Sequence, residues 1–234
     1  MNWKELIQYS SVQLRKLDAN GVPCGIGSGC LIDFKQRRLL LTVFHVAEKS
    51  SNWCAQIKFN DEKQQTEVLF LNKFCYISDF DSSKKSIKDV EFSFHPVRHD
   101  FKCYFHNRNW KGQTFELRER PILRADDIGD PDKETIYGFS GEIMPELIPE
   151  QNAFVTDYRV YHGLRYDRRE NDMHFFKMPE KHPGHEWFKG CSGAPIIGEN
   201  GKVVSLVSGG CIERNEIYGN NLSKCIRTLD YFLE

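Results

Sequence analysis

The stretch of this sequence best suited to chemistry is Gly190-Cys191-Ser192-Gly193-Ala194-Pro195, followed by Ile196 and Ile197. A serine between glycines in a tight turn can hold its hydroxyl clear of neighbouring side chains. The same glycines leave backbone N–H groups open to an oxyanion. A serine hydroxyl is a weak nucleophile near neutral pH unless a base takes its proton during attack, and an imidazole does so best when a carboxylate fixes its tautomer. Turns of this kind also join ordinary strands, so Ser192 needs partners elsewhere in the chain. All eight histidines precede it, which excludes the chain order serine, acid, histidine. The order that remains is His45, Asp89, Ser192, with Asp79 and Asp81 as rivals for the acid. His174, His182, His185 and Cys191 suggest zinc at first sight, but the spacing lacks the paired ligands of a closed site, so a proline-bearing surface loop is the reading taken. The Cys191 side chain is expected to point into the core, not to act as a second nucleophile.

The elements that would position these groups read as β-structure. Ser11 to Leu17 is a strand, Ala19-Asn20-Gly21 a turn, and Cys24 to Ile32 a glycine-rich second strand. That glycine run is no dinucleotide loop, because position 30 is cysteine and no helix follows. Leu39 to Val46 reads as a buried strand that brings His45 to its end. Asp79 to Lys88 reads as a polar loop delivering Asp89 to Val90-Glu91-Phe92-Ser93-Phe94, where apolar and polar residues alternate. His95 to Gly112 reads as a linker, and its basic and aromatic residues as a solvated connection, not a nucleic-acid surface. Strand candidates continue through Thr114–Leu123, Thr135–Phe139, Ala153–Tyr161, Met173–Met178, Ala194–Ile197 and Val203–Ser208. A last helix, capped by Asn221, carries Leu222, Ile226, Leu229 and Leu233 on one face.

The chain has 234 residues, 40% hydrophobic and 28% charged, enough for one large domain or two small cores. A formal net charge of -1 supplies no field to draw in nucleic acid or an anionic membrane. No apolar run approaches the roughly 20 residues that span a bilayer, and the first residues lack a secretory apolar core. Eight singly scattered cysteines with no leader read as reduced thiols in the cytoplasm.

Several motifs together resemble the trypsin-like serine peptidases, in their intracellular bacterial form. Leu41-Thr42-Val43-Phe44-His45-Val46 resembles the segment around their general base, and Gly27-Ser28-Gly29-Cys30-Leu31-Ile32 the strand before it. Lys88-Asp89-Val90 is similar to the start of the acid-bearing strand, and Gly190 to Pro195 to the nucleophile turn. Tyr137-Gly138-Phe139 is similar to a turn early in the second barrel. Ser205 to Gly210 resembles the strand that lines the specificity pocket.

The resemblance implies an all-β fold of two six-stranded antiparallel barrels with a C-terminal helix. One peptidase domain spans 1–234, with residues 10–105 and 113–215 forming the barrels and 221–234 the helix. It further implies that Ser192 attacks, His45 is general base and then acid, and Asp89 orients His45. The N–H groups of Gly190 and Ser192 would form the oxyanion hole, and Ser208, Gly209 and Gly210 would contact substrate. Glu186, upstream of the nucleophile, would floor the pocket and favour basic side chains.

Two departures stand out. Cys191 replaces the aspartate that receives a new N-terminus in members activated by cleavage, and Val46 leaves Cys30 without a bridging partner. The expectation is a cofactor-free, metal-free serine endopeptidase acting on protein, open to activation by a protein partner and suited to a regulated or defence system. The alternative is a catalytically silent scaffold that binds peptides.

Overall fold

The computed structural model describes residues 1–47, 52–81, 85–108, 114–148, 150 and 153–232. Helix α1 (Trp3–Ser10) opens on a capping box: Asn2 Oδ1 accepts the Glu5 N–H, and the Glu5 carboxylate accepts the Asn2 N–H. Its sequence signature is plain, yet the expectation of strands with a single helix at the C-terminus leaves it out. It seats Ile7 in the core, and the Trp3 indole donates to the Ile197 carbonyl at 3.1 Å.

The first half contains β1 (Val12–Leu17), β2 (Pro23–Phe34), β3 (Arg37–Thr42), the short helical turn α2 (Phe44–Ala47), β4 (Trp53–Asn60), β5 (Gln65–Leu71), β6 (Cys75–Asp81) and β7 (Ser86–Val97). Next come the separate hairpin of β8 (Tyr104–Arg108) and β9 (Thr114–Glu119), and then β10 (Leu123–Arg124). The second half holds β11 (Ile136–Ile148), β12 (Ala153–Glu170), β13 (Met173–Lys177), β14 (Pro195–Gly198), β15 (Val203–Cys211) and β16 (Glu216–Asn220), with α3 (Leu222–Phe232) last.

The expected all-β architecture with a C-terminal helix is the one found. The second half closes as a six-stranded barrel in the order β11-β12-β13-β16-β15-β14. The first half is a curled sheet in the order β5-β4-β1-β2-β3-β7-β6, with β10 added parallel to β2. Among the described residues no ladder joins its two end strands. Thr114–Glu119 pairs with β8 and, among the described residues, with no barrel strand. The expected loop over Asp79 to Lys88 is largely a hairpin between β6 and β7, and β7 runs on through His95 to Val97.

Two apolar cores back these sheets. Leu14, Leu31, Leu39, Leu40, Leu41 and Phe92 fill the first half, joined by Leu222, Cys225, Ile226 and Leu229 of α3. Asn221 caps α3 by accepting the Lys224 N–H, so the helix leaves the second barrel and packs back on the first half. The expected contact of Leu233 lies outside the described residues. Tyr137, Phe139, Leu164 and Phe176 fill the barrel. Ile197, Val203 and Leu206 face outward from the barrel into the first core, so one apolar seam joins the halves. Residues lining that seam position the site.

Candidate active site

The Gly190–Pro195 turn is fastened to the first half by Ser28. The Ser28 N–H donates to the Ser192 carbonyl at 2.8 Å, and its hydroxyl donates to the Gly190 carbonyl at 2.7 Å. Gly193 has φ +92°, and a Cβ there would run into the Ser28 carbonyl and the Thr42 hydroxyl, which themselves form a 2.7 Å hydrogen bond. Glycine is therefore required at 193. The Gly193 N–H donates to Val207 O and the Val207 N–H to Ala194 O, both at 2.8 Å, tying the turn to β15.

Within the turn, the Ser192 N–H and hydroxyl have no hydrogen-bond partner among the described residues, and the residue is half-buried. Gly190 forms an isolated antiparallel bridge with Glu142. Cys191 points into the core as expected: its thiol donates to the Glu142 carbonyl at 3.3 Å, and burial raises its pKa well above the ordinary thiol value.

The strand expected to end on His45 stops at Thr42, and His45 lies in the helical turn α2. Its Nδ1 is 2.5 Å from Glu91 Oε1, and its backbone N–H donates to the same oxygen at 3.3 Å. One carboxylate oxygen thus holds the ring and its peptide together, leaving Nε2 as the free nitrogen. Asp89 is elsewhere: it is exposed and accepts the Ser78 hydroxyl at 2.7 Å. The carboxylate that the structure brings to His45 is Glu91.

Strand register gives the reason. β3 pairs with β7 so that Thr42 faces Ser93. Continuing that ladder would set position 44 opposite Glu91 and position 46 opposite Asp89. The helical turn advances the chain by only about 1.5 Å per residue, so His45 stays beside Glu91. Asn220 fixes this part of β7 from the second barrel, donating to the Glu91 carbonyl at 2.8 Å while accepting the Leu206 N–H at 3.0 Å.

His45 and Ser192 line one crevice between the halves, with a volume of about 560 Å³. Gly209 and Gly210 line it as expected. Ser208 does not, and its hydroxyl turns back to Leu206 O at 3.2 Å. Glu186 is not in the crevice either. Its side chain is 86% exposed and pairs with Lys189 at 2.9 Å, so the acidic pocket floor expected from the sequence is not there. A 3₁₀ turn over Glu186–Phe188 swings Glu186 outward and Phe188 inward. His182, passed over as a loop residue, lines the crevice instead, while His174 is buried in β13 against the Ser205 hydroxyl at 3.0 Å.

This is the fold of the trypsin-like serine proteases. Among solved structures, mouse neuropsin, a serine protease, aligns over 98% of this chain and 96% of its own, with TM-score 0.58 and 11% identity. The serine endoprotease from Yersinia pestis matches with TM-score 0.56 and 8% identity over 97% of this chain, which spans 64% of that enzyme's length. Human heparin binding protein, with TM-score 0.58 and 9% identity over 96% and 90% of the two chains, shares the same fold. No family profile and no curated protein matches the sequence.

Proposed function

We propose that this protein is a serine endopeptidase in which Ser192 is the nucleophile, His45 the general base and Glu91 the carboxylate that orients the base. Asp89 stands outside the machinery. The observation that carries this reading is the short contact between His45 Nδ1 and Glu91, which leaves Nε2 unbonded on a histidine that lines the same crevice as Ser192. In the proposed cycle His45 Nε2 takes the hydroxyl proton as Ser192 Oγ bonds to the peptide carbonyl carbon, and the imidazolium is stabilised by Glu91. The Ser192 N–H and that of Gly190 receive the negative oxygen. His45 then gives its proton to the leaving amine, and water repeats the sequence on the acyl-enzyme.

The substrate is a protein or peptide, and the thiols, all eight of them free, suit a reducing cell interior. No helix among the described residues is long and apolar enough to cross a membrane.

A second reading is a peptide-binding module without hydrolysis. One observation favours it: among the described residues no hydrogen bond joins the Ser192 hydroxyl to His45. Intact-mass measurement after treatment with a fluorophosphonate decides between them. The enzyme reading expects one adduct, on Ser192, that is missing in Ser192→Ala and forms far more slowly in His45→Ala. Should a protein partner be needed to align the hydroxyl, labelling would appear only when that partner is added. A folded chain that stays unlabelled with and without cell extract supports the binding module.

A further inference from the structure

Two buried donors on the crevice wall lack a hydrogen-bond partner among the described residues, Trp53 Nε1 and His182 Nε2, and the second stands beside the Gly209-Gly210 edge. His182 is 3% exposed, and its Nε2 has no hydrogen-bond partner among the described residues. Its position is built. The backbone N–H of His182 donates to Asn215 Oδ1 at 2.7 Å, and the ring stands edge-on to Phe188 with centroids 5.1 Å apart. The Gly184 N–H donates to Nδ1 at 3.0 Å, which makes Nδ1 the acceptor and leaves the proton of the neutral ring on Nε2. Burial, and then the neighbouring His185, hold the imidazole below the ordinary histidine pKa, with Glu213 pulling the other way, which favours the neutral ring. A Cβ at Gly210 would collide with Nε2, so glycine is required at 210 for the ring to stand where it does.

A buried donor with no acceptor is a costly arrangement that a bound oxygen relieves. The rest of the wall indicates which oxygen. Phe188, Val207 and Ile217 offer apolar surface to methylene groups, Lys16 and Lys189 are the cations, the latter paired with Glu186, and no carboxylate lines the crevice among the described residues. A lysine or arginine side chain would meet two lysines and no lining carboxylate there, and a leucine would leave the donor unpaired. Resting on the peptidase reading of the same crevice, we propose that His182 Nε2–H selects a substrate side chain ending in a carbonyl oxygen, glutamine or glutamate, next to the cleaved bond.

The test is calorimetric binding to the Ser192→Ala chain of four peptides that differ only in a C-terminal Gln, Glu, Leu or Arg. The Gln and Glu peptides are expected to bind at least about tenfold tighter than the other two, the effect of one well-made buried hydrogen bond. The ratio of Glu to Gln reports the contribution of Lys16 and Lys189. Adding His182→Phe should shrink the preference to within about twofold, while His182→Gln, which keeps a donor, should retain part of it. A readout that needs no variant is the His182 Nε2–H resonance, which should shift with the Gln peptide and stay in place with the Leu peptide. Equal binding of all four peptides, tighter binding of Arg or Leu, no binding, or an unchanged preference in folded His182→Phe would each overturn the proposal. Labelling at Ser192 is scored separately, so a chain that labels without this preference refutes only the specificity, and one that shows the preference without labelling refutes only hydrolysis.

Discussion

At the scale of single residues, Gly193 and Glu91 carry the most consequence. With φ +92° and the Ser28 carbonyl where a Cβ would go, Gly193→Ala must distort the nucleophile turn. Such strain costs on the order of 1–3 kcal/mol, with the clash added. Thermal unfolding should fall by several degrees and labelling of Ser192 should vanish. Labelling at the wild-type rate would mean the turn is not the nucleophile's support. The Gly-Cys-Ser-Gly run and His45 were legible in the sequence because glycine and histidine requirements are local. The choice between Asp89 and Glu91 was not. The two stand two positions apart on one strand, and only the register of β3 on β7 and the helical turn at Phe44–Ala47 decide which one reaches the imidazole. Glu186 was misplaced for a similar reason, since a 3₁₀ turn, not an extended approach, precedes Ser192.

At the scale of elements, the joint between β1 and β11 carries a buried ion pair behind the nucleophile turn. Arg15 Nη2 and Glu142 Oε1 are 2.7 Å apart with side chains 7% and 10% exposed, and Thr156 adds a 3.1 Å hydrogen bond to the same oxygen. Removing one partner leaves the other charge buried and unpaired, which costs about 3–5 kcal/mol. Arg15→Met should therefore lower the denaturation midpoint sharply, and Arg15→Met with Glu142→Met should recover much of the loss. A single variant as stable as wild type would show that the pair is not closed to water. Helix α3 was legible from its apolar period and Asn221, whereas α1 was missed despite Asn2 and Glu5, because its short apolar face is anchored by tertiary contacts through Trp3 and Ile7. The hairpin of β6 and β7 read as a loop because its polar faces are exposed and its pairing is not encoded by alternation alone.

At the scale of the molecule, the closed barrel and the curled sheet are held across one apolar seam, and the barrel has a charged clasp of its own. Glu216, buried at the start of β16, accepts from Arg168 at 2.9 Å and Lys177 at 3.2 Å. These cations, Arg168 foremost, hold its carboxyl below the ordinary value of 4.5. A carboxylate with a depressed pKa stabilises the fold above its unfolded value and loses that contribution as pH falls through the folded one. Wild type should exceed Glu216→Gln by about 2 kcal/mol near neutrality, with the gap closing in acid below pH 4.5. A gap that is constant with pH would contradict the clasp. The barrel architecture was legible as many short strands split by turns, but the absence of a closing ladder in the first half among the described residues was not, since such a ladder depends on partners distant in sequence. The central claim is that Glu91 and not Asp89 serves His45. It is tested most directly by the second-order rate of fluorophosphonate labelling at Ser192 in Glu91→Gln and Asp89→Asn. The expected result is a fall of about 10²- to 10⁴-fold for the first and, for the second, a rate within about threefold of wild type, since the histidine has lost nothing. The reverse order of effects, or equal rates in both variants, would contradict it.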